Sequence, residues 1–176
     1  MSSLPMQPLR TERLVLQPLT AAHAPAMFAV LQDPQIYRFI EDRPPPSVEH
    51  LARVYAALER RTSPAGDERW LNWVVCDAQG QALGYVQATV QPGRQTWVAY
   101  VFASLAWGRG HAFEAVKAMM DHLAACEDVP RFAATVEAGN LRSVRLLLRL
   151  GFREAAPARA DELSAGERRY VLERTR

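Results

Sequence analysis

Three runs rich in aromatic and β-branched residues, at 70–76, 83–90 and 96–102, are separated only by the turn sequences Asp77-Ala78-Gln79-Gly80 and Gln91-Pro92-Gly93. Connections that short force neighbouring strands to run antiparallel, because a parallel pair needs a crossover of a dozen or more residues. After Phe102 the pattern changes. A helical period covers residues 111–125, with Ala115, Val116, Met119, Met120 and Leu123 on one side. A strand pattern follows at 132–136, and a second helix at 141–150 is stopped by Gly151. A meander that passes directly into strand, helix, strand, helix predicts one α/β domain with a mixed central sheet.

The first third reads as a strand at 13–18 closed by Pro18, then helical pieces. Thr20 can cap a helix with Ala26, Met27, Ala29, Val30 and Leu31 as its apolar side, and Pro25 falls early, where proline costs least. Asp33-Pro34 interrupts it, and a short amphipathic piece runs through Tyr37 and Ile40. Pro44-Pro45-Pro46 is a stiff break, after which Ser47 caps a helix carrying Leu51, Val54, Tyr55 and Leu58. Residues 169–173 alternate enough to close the sheet. The 176 residues, 49% hydrophobic and 23% charged, suit a single domain over 1–176 with a full core. No apolar run approaches the ~18 residues of a membrane span, and residues 1–5 show no secretory pattern. A net charge of +2 without a basic run argues against a nucleic-acid partner. Cys76 and Cys126 have no metal-ligand or redox spacing and read as buried free thiols in a reducing cytoplasm.

The segment Trp107-Gly108-Arg109-Gly110-His111-Ala112 carries the most chemistry. Glycines at a helix start let a ligand approach the backbone closely and turn N–H groups toward it. The helix dipole adds about half a positive charge there, and Arg109 supplies a full one, so the spot suits a phosphate. A tight turn explains the same two glycines. The dinucleotide fingerprint fails at Phe113, where its third glycine belongs, and no Gly-Lys-Ser/Thr is present for a P-loop. A second signal follows: Asn140-Leu141-Arg142-Ser143 opens a helix that Leu150-Gly151-Phe152 closes.

In this order and spacing the motifs resemble the GNAT acetyltransferase superfamily, in particular the branch of ribosomal-protein N-terminal acetyltransferases. The resemblance spans residues 9–152: Leu9 to Leu14 with Leu16 as the opening strand, Asp33-Pro34 with Tyr37-Arg38-Phe39 as a helix end, and Leu83-Gly84-Tyr85 in a meander strand. The segment from Trp107 to Ala115 matches the CoA-pyrophosphate loop, and Asn140, Ser143, Gly151 and Phe152 match the final helix. The resemblance implies a V-shaped splay between the strand ending near Phe102 and the strand at 132–136, with pantetheine bonded to the backbone around Phe102. It implies acetyl-CoA as cosubstrate, no metal, and an amine acceptor, either a protein N-terminus or a small molecule. Trp107, Gly108, Arg109, Gly110, His111 and Ala112 would hold the pyrophosphate end, and Asn140 and Ser143 the thioester end. The amine attacks the thioester directly and CoA thiolate leaves.

Proton handling departs from the family pattern. The tyrosine often found on the last helix is Leu147 here. Ser143 is the substitute donor by motif, and serves equally as a polar residue of a helix first turn. Glu137 is the candidate base, or a solvated carboxylate at a strand end. An α-amine with pKa ~7.7–8.0 needs less help from a base than a lysine near ~10.4. His111 reads as a loop side chain near CoA, Glu114 as a carboxylate favoured by the helix dipole, and Arg142, Arg145 and Arg149 as a basic stripe that is solvated or meets the adenosine phosphate. Acceptor selection is expected from residues 38–47 and 155–166. Leu147 keeps open the alternative of a non-catalytic acyl-CoA-binding or sensing domain. The expected enzyme is cytoplasmic, not bound to a membrane, and a monomer or homodimer.

Overall fold

The chain begins with a hairpin rather than one opening strand. In the computed structural model, which describes residues 6–93, 95–126, 129–157 and 163–174, β1 (Leu9–Arg10) pairs antiparallel with β2 (Leu14–Pro18). Residues 1–5, read as lacking a secretory pattern, and part of the 155–166 segment lie outside the described residues. Thr20 caps a 3-10 turn at Ala21–His23, which hands over to α1 (Ala24–Leu31) with Pro25 in its first turn. Ala24, Met27, Val30 and Leu31 are buried, whereas Ala26 and Ala29 face solvent, so the apolar stripe is narrower than expected. A second 3-10 turn, Pro34–Arg38, is capped by the Asp33 carboxylate. Ser47 caps α2 (Val48–Leu58) through its hydroxyl, which accepts from the His50 N–H at 3.1 Å.

The meander is β3 (Arg69–Asp77), β4 (Ala82–Val90) and β5 (Gln95–Phe102), all antiparallel. Then follow α3 (His111–Cys126), β6 (Arg131–Glu137), α4 (Leu141–Arg149), a short β7 (Arg153–Ala155) that the sequence pattern does not reveal, and β8 (Glu167–Glu173). One sheet results, in the order β1-β2-β3-β4-β5-β6-β8-β7. Alternation along β3 separates two cores. Leu71, Trp73 and Val75 pack with α3 and α4 residues such as Met119, Leu123 and Leu147, while Val74 and Cys76 pack with Met27, Leu51 and Tyr55 from α1 and α2. Burying each large apolar side chain contributes about 1.5–3 kcal/mol. Cys76 is buried as expected and burial pushes its thiol pKa up, but Cys126 is exposed at the end of α3, where the helix turns it outward. Among the described residues, no helix is long and apolar enough to cross a membrane.

The functional consequence lies between β5 and β6. They pair in parallel only from Gln95, Thr96 and Trp97 to Arg131, Phe132 and Ala133, and part company from Val98 and Ala134 onward. Their C-terminal ends open into the expected V.

Candidate active site

A cavity of about 510 Å³ occupies this V. Its walls come from β5 (Tyr100, Phe102), from the turn before α3 and the first residues of that helix, from α4, and from the 3-10 turn after α1. Ala103 N–H donates to Leu83 O on β4 at 2.9 Å. By strand alternation the backbone groups of residues 98, 100 and 102 therefore face the open side. One of them is engaged, since the Phe102 carbonyl accepts from the Trp107 indole N–H at 2.9 Å.

The turn into α3 is built by conformation and by a clasp. Gly108 (φ 72°) and Gly110 (φ 81°) are both left-handed, a conformation that costs other residues roughly 1–2 kcal/mol. Gly108, Gly110, His111 and Ala112 line the cavity; Arg109, expected beside a phosphate, is exposed and lies outside the lining. Arg13 ties the turn down instead. Its guanidinium donates to the Arg109 carbonyl at 2.9 Å and pairs with Glu114 at 2.6 Å. Thr11 and the Arg13 backbone N–H also donate to Glu114. Partial burial works to raise the Glu114 pKa, but these hydrogen bonds and the Arg13 charge hold it below the ordinary range. Glu114 therefore joins the β1–β2 hairpin to the helix start, a role that helix-dipole reasoning alone does not supply. His111 is kept below its usual pKa by burial first and then by Arg13, so it is neutral near pH 7.

Positive charge reaches the cavity from α4. Arg142, Arg145 and Arg149 all line it. The Arg142 guanidinium lies 3.7 Å from the centre of the Trp107 ring, and that of Arg149 lies 4.3 Å from Phe113. Each such contact contributes about 0.5–1 kcal/mol at an exposed site. The basic stripe is thus partly stacked on α3 and its turn, bridging the two lips of the V, and not simply solvated.

Asn140 and Ser143 both line the cavity. Asn140 caps α4, its side-chain oxygen accepting from the Ser143 N–H at 3.2 Å. Glu137 does not line the cavity: its carboxylate accepts from Gly139 N–H at 2.8 Å and shapes the turn into α4. Leu147 is 1% exposed, sits in the core and is likewise absent from the cavity wall. Tyr100, which reads in sequence as one more meander aromatic, reaches across the V, its hydroxyl donating to the Ser143 carbonyl at 3.4 Å. Burial pushes its pKa up to about 12. Nothing in the local sequence sets it apart, because its position opposite α4 depends on the splay. Asp33 is a second residue that gains a role, accepting from Ser104 N–H at 2.6 Å and anchoring the 3-10 turn beside the end of β5. Among the described residues, no cluster of three or more His, Cys, Asp or Glu could hold a metal.

Comparison with known proteins matches residues 13–153 to the acetyltransferase (GNAT) domain family. The chain is similar to YoaA of Bacillus subtilis (strain 168), an uncharacterized N-acetyltransferase, with 26% identity over 153 residues, 83% of this chain and 82% of the relative. Among solved structures it is similar to RimL, a ribosomal L7/L12 alpha-N-protein acetyltransferase in complex with coenzyme A, with a TM-score of 0.79 and 17% identity over 95% of this chain and 98% of that one. A chimera of the spermidine N-acetyltransferase SpeG from Vibrio cholerae with hSSAT gives a TM-score of 0.73 and 19% identity over 91% of this chain and 95% of that one.

Proposed function

Because the chain belongs to the GNAT acetyltransferase family, we propose that it transfers an acetyl group from acetyl-CoA to a primary amine, directly and within the V between β5 and β6. The observation that carries this reading is the cavity itself, which joins glycine-rich backbone at the start of α3 to three arginines of α4. Helix-start N–H groups and guanidinium forks suit a pyrophosphate and an adenosine phosphate. The open backbone groups of residues 98 and 100 suit the amides of a pantetheine arm. The coenzyme A held by RimL, whose fold this chain shares, supports the same cosubstrate. The two unpaired cysteines suit a reducing cytoplasm.

The attacking amine must be neutral, and water is a sufficient proton acceptor for an α-amine with pKa ~7.7–8.0. Glu137, engaged by Gly139, is the weaker candidate. On the leaving side, the Ser143 hydroxyl donates a hydrogen bond to the thiolate, while Tyr100, whose one O–H is donated to the Ser143 carbonyl, holds the start of α4 in place. Tyr100 does not give up its proton: with a pKa near 12 against ~8.5 for a thiol, transfer runs roughly 5 kcal/mol uphill. Asn140 fixes the start of α4 and with it the position of Ser143. Leu147, being in the core, takes nothing away from this wall, which weakens the reading as a non-catalytic acyl-CoA-binding domain.

The test is the affinity for acetyl-CoA. Gly110→Val places a branched side chain at φ 81°, with its Cβ 3.3 Å from the Arg13 guanidinium. The variant is expected to lose about 2 kcal/mol of binding free energy or more, roughly 30-fold. Calorimetry showing wild-type affinity in a folded Gly110→Val removes the loop from the site.

A further inference from the structure

The walls of the V differ in how firmly the fold holds them. β5, α3 and α4 belong to the sheet or are regular helices. The remaining wall is the 3-10 turn Pro34–Arg38 with the two residues after it, from which Ile36, Arg38, Phe39 and Ile40 line the cavity. A 3-10 turn has poorer hydrogen-bond geometry than an α-helix and does not fix its own place. Of these four residues Ile36 is buried and Phe39 half-buried, while Arg38 and Ile40 are exposed. The Tyr37 hydroxyl donates to the Leu31 carbonyl at 2.7 Å, which ties the turn to the end of α1 but not to the V.

The tie to the V is Asp33, which uses both carboxylate oxygens. One accepts from the Gln35 N–H at 3.0 Å and caps the turn; the other accepts from the Ser104 N–H, 71 residues away, at 2.6 Å. Ser104 opens the 3-10 turn Ser104–Ala106, which leads from β5 to the glycines, and its carbonyl accepts from the Trp107 N–H at 3.0 Å. One side chain thus holds the loose wall against the segment that carries the end of β5 into the glycine turn. Burial works to raise the Asp33 pKa, but the bonds from Ser104 and Gln35 outweigh it and hold the carboxyl below its ordinary range. The group is therefore ionised at neutral pH, and charge-assisted bonds are roughly twice as strong as neutral ones. The role requires two acceptors on one short side chain. An asparagine offers one, enough for the cap, and turns an N–H₂ group toward the other backbone N–H.

We propose that Asp33 is a positioning residue for the transfer: by joining Gln35 to Ser104 it sets the wall that carries Phe39 and Ile40 at the distance from β5 at which the amine reaches the thioester. The assignment rests on the acetyltransferase reading, in which CoA takes the glycine turn and α4 and this wall is left to the amine. Two variants break the clasp from opposite sides. Asp33→Asn keeps the cap and loses the bond to Ser104. Ser104→Pro leaves Asp33 intact and removes the donor, at a site that suits proline. It is the first residue of a 3-10 turn, and Ala103 before it (φ −55°, ψ 145°) already has the extended conformation that a following proline demands. Its carbonyl still accepts from Trp107. Both variants should fold and bind acetyl-CoA within about twofold of the wild type. At saturating acetyl-CoA, with tyramine, phenethylamine or a peptide N-terminus as the amine, kcat should fall by roughly 30- to 100-fold, because a misplacement of about 1 Å costs ~10²-fold. The double variant should be no slower than either single one, since there is one clasp to lose.

Wild-type turnover in either folded variant, losses that multiply in the double variant, or a loss of turnover matched by a loss of acetyl-CoA affinity overturn the positioning role. A wild type that binds acetyl-CoA but acetylates none of these amines overturns the transfer reaction instead. Amide hydrogen exchange then judges the clasp by itself. In either variant residues 34–40 and 103–107 should lose protection together, and a loss confined to the mutated segment overturns it.

Discussion

Gly84 sits on β4 directly opposite Phe102, at the end of the part of β5 that has separated from β6. Its backbone angles are ordinary, so the requirement there is for space. A Cβ at this position would lie 2.0 Å from the Val101 carbonyl oxygen and 2.8 Å from the Phe102 Cα. Both neighbours are backbone, and no side-chain rotation relieves them. Overpacking in a core usually costs about 1–3 kcal/mol with side chains free to adjust, so Gly84→Ala should cost at least about 3 kcal/mol. For a chain of this length that corresponds to a fall in Tm of roughly 6–12 °C. The displacement pushes the end of β5 into the V, so affinity for acetyl-CoA should fall along with stability. Gly108→Ala is the control, because nothing lies within 4 Å of its Cβ and only the left-handed φ is penalised. Thermal melts and calorimetry on both variants decide the matter. A Gly84→Ala protein that melts within about 2 °C of wild type, or no lower than Gly108→Ala, refutes the reasoning.

Leu147→Tyr, which restores the tyrosine frequent in the family, should slow or leave unchanged the turnover and destabilise by about 1–3 kcal/mol, because the position is core and a larger, hydroxylated ring overpacks it. A faster enzyme of wild-type stability would show that this position does reach the reacting atoms. The Glu114 clasp predicts a pH signature. Its carboxyl pKa is lowered by folding, so its stabilisation is present above the unfolded value near ~4.3 and is lost as pH falls through the folded value. Glu114→Gln should therefore cost about 1 kcal/mol near neutrality, a modest figure because Arg13 is half exposed. Urea denaturation should show that difference shrinking below ~pH 4; a difference constant with pH contradicts the clasp.

The elements with strong periodicity are legible in the chain: the meander, α3, α4 and the glycine turn follow from residue pattern and from short connections. The features that escape are long-range. The break at residues 11–13 serves a clasp whose other half is Glu114, about a hundred residues away. β7 is three residues long and exists by pairing with β8. Cys126 and Ala29 are apolar by type but lie on outward faces, which only the packing of α3 and α1 decides. At the site, Asn140, Ser143, Gly110 and His111 announce themselves by position in motifs. Tyr100 does not, because a polar group in a strand looks the same in sequence whether it packs in the sheet or lines a cavity. Arg109 and Arg142 show the converse: local charge beside the glycines suggests the first, while the packing of α4 over Trp107 brings in the second.

The most direct test of the account is to mix the protein with acetyl-CoA and a primary amine, and to measure free CoA thiol and N-acetylated product together. The account predicts amine-dependent release of thiol, equimolar with acetylated amine, and a rate that rises as the amine loses its proton. Saturable binding of acetyl-CoA with no amine-dependent thiol release, for tyramine, phenethylamine or a peptide N-terminus alike, would contradict it.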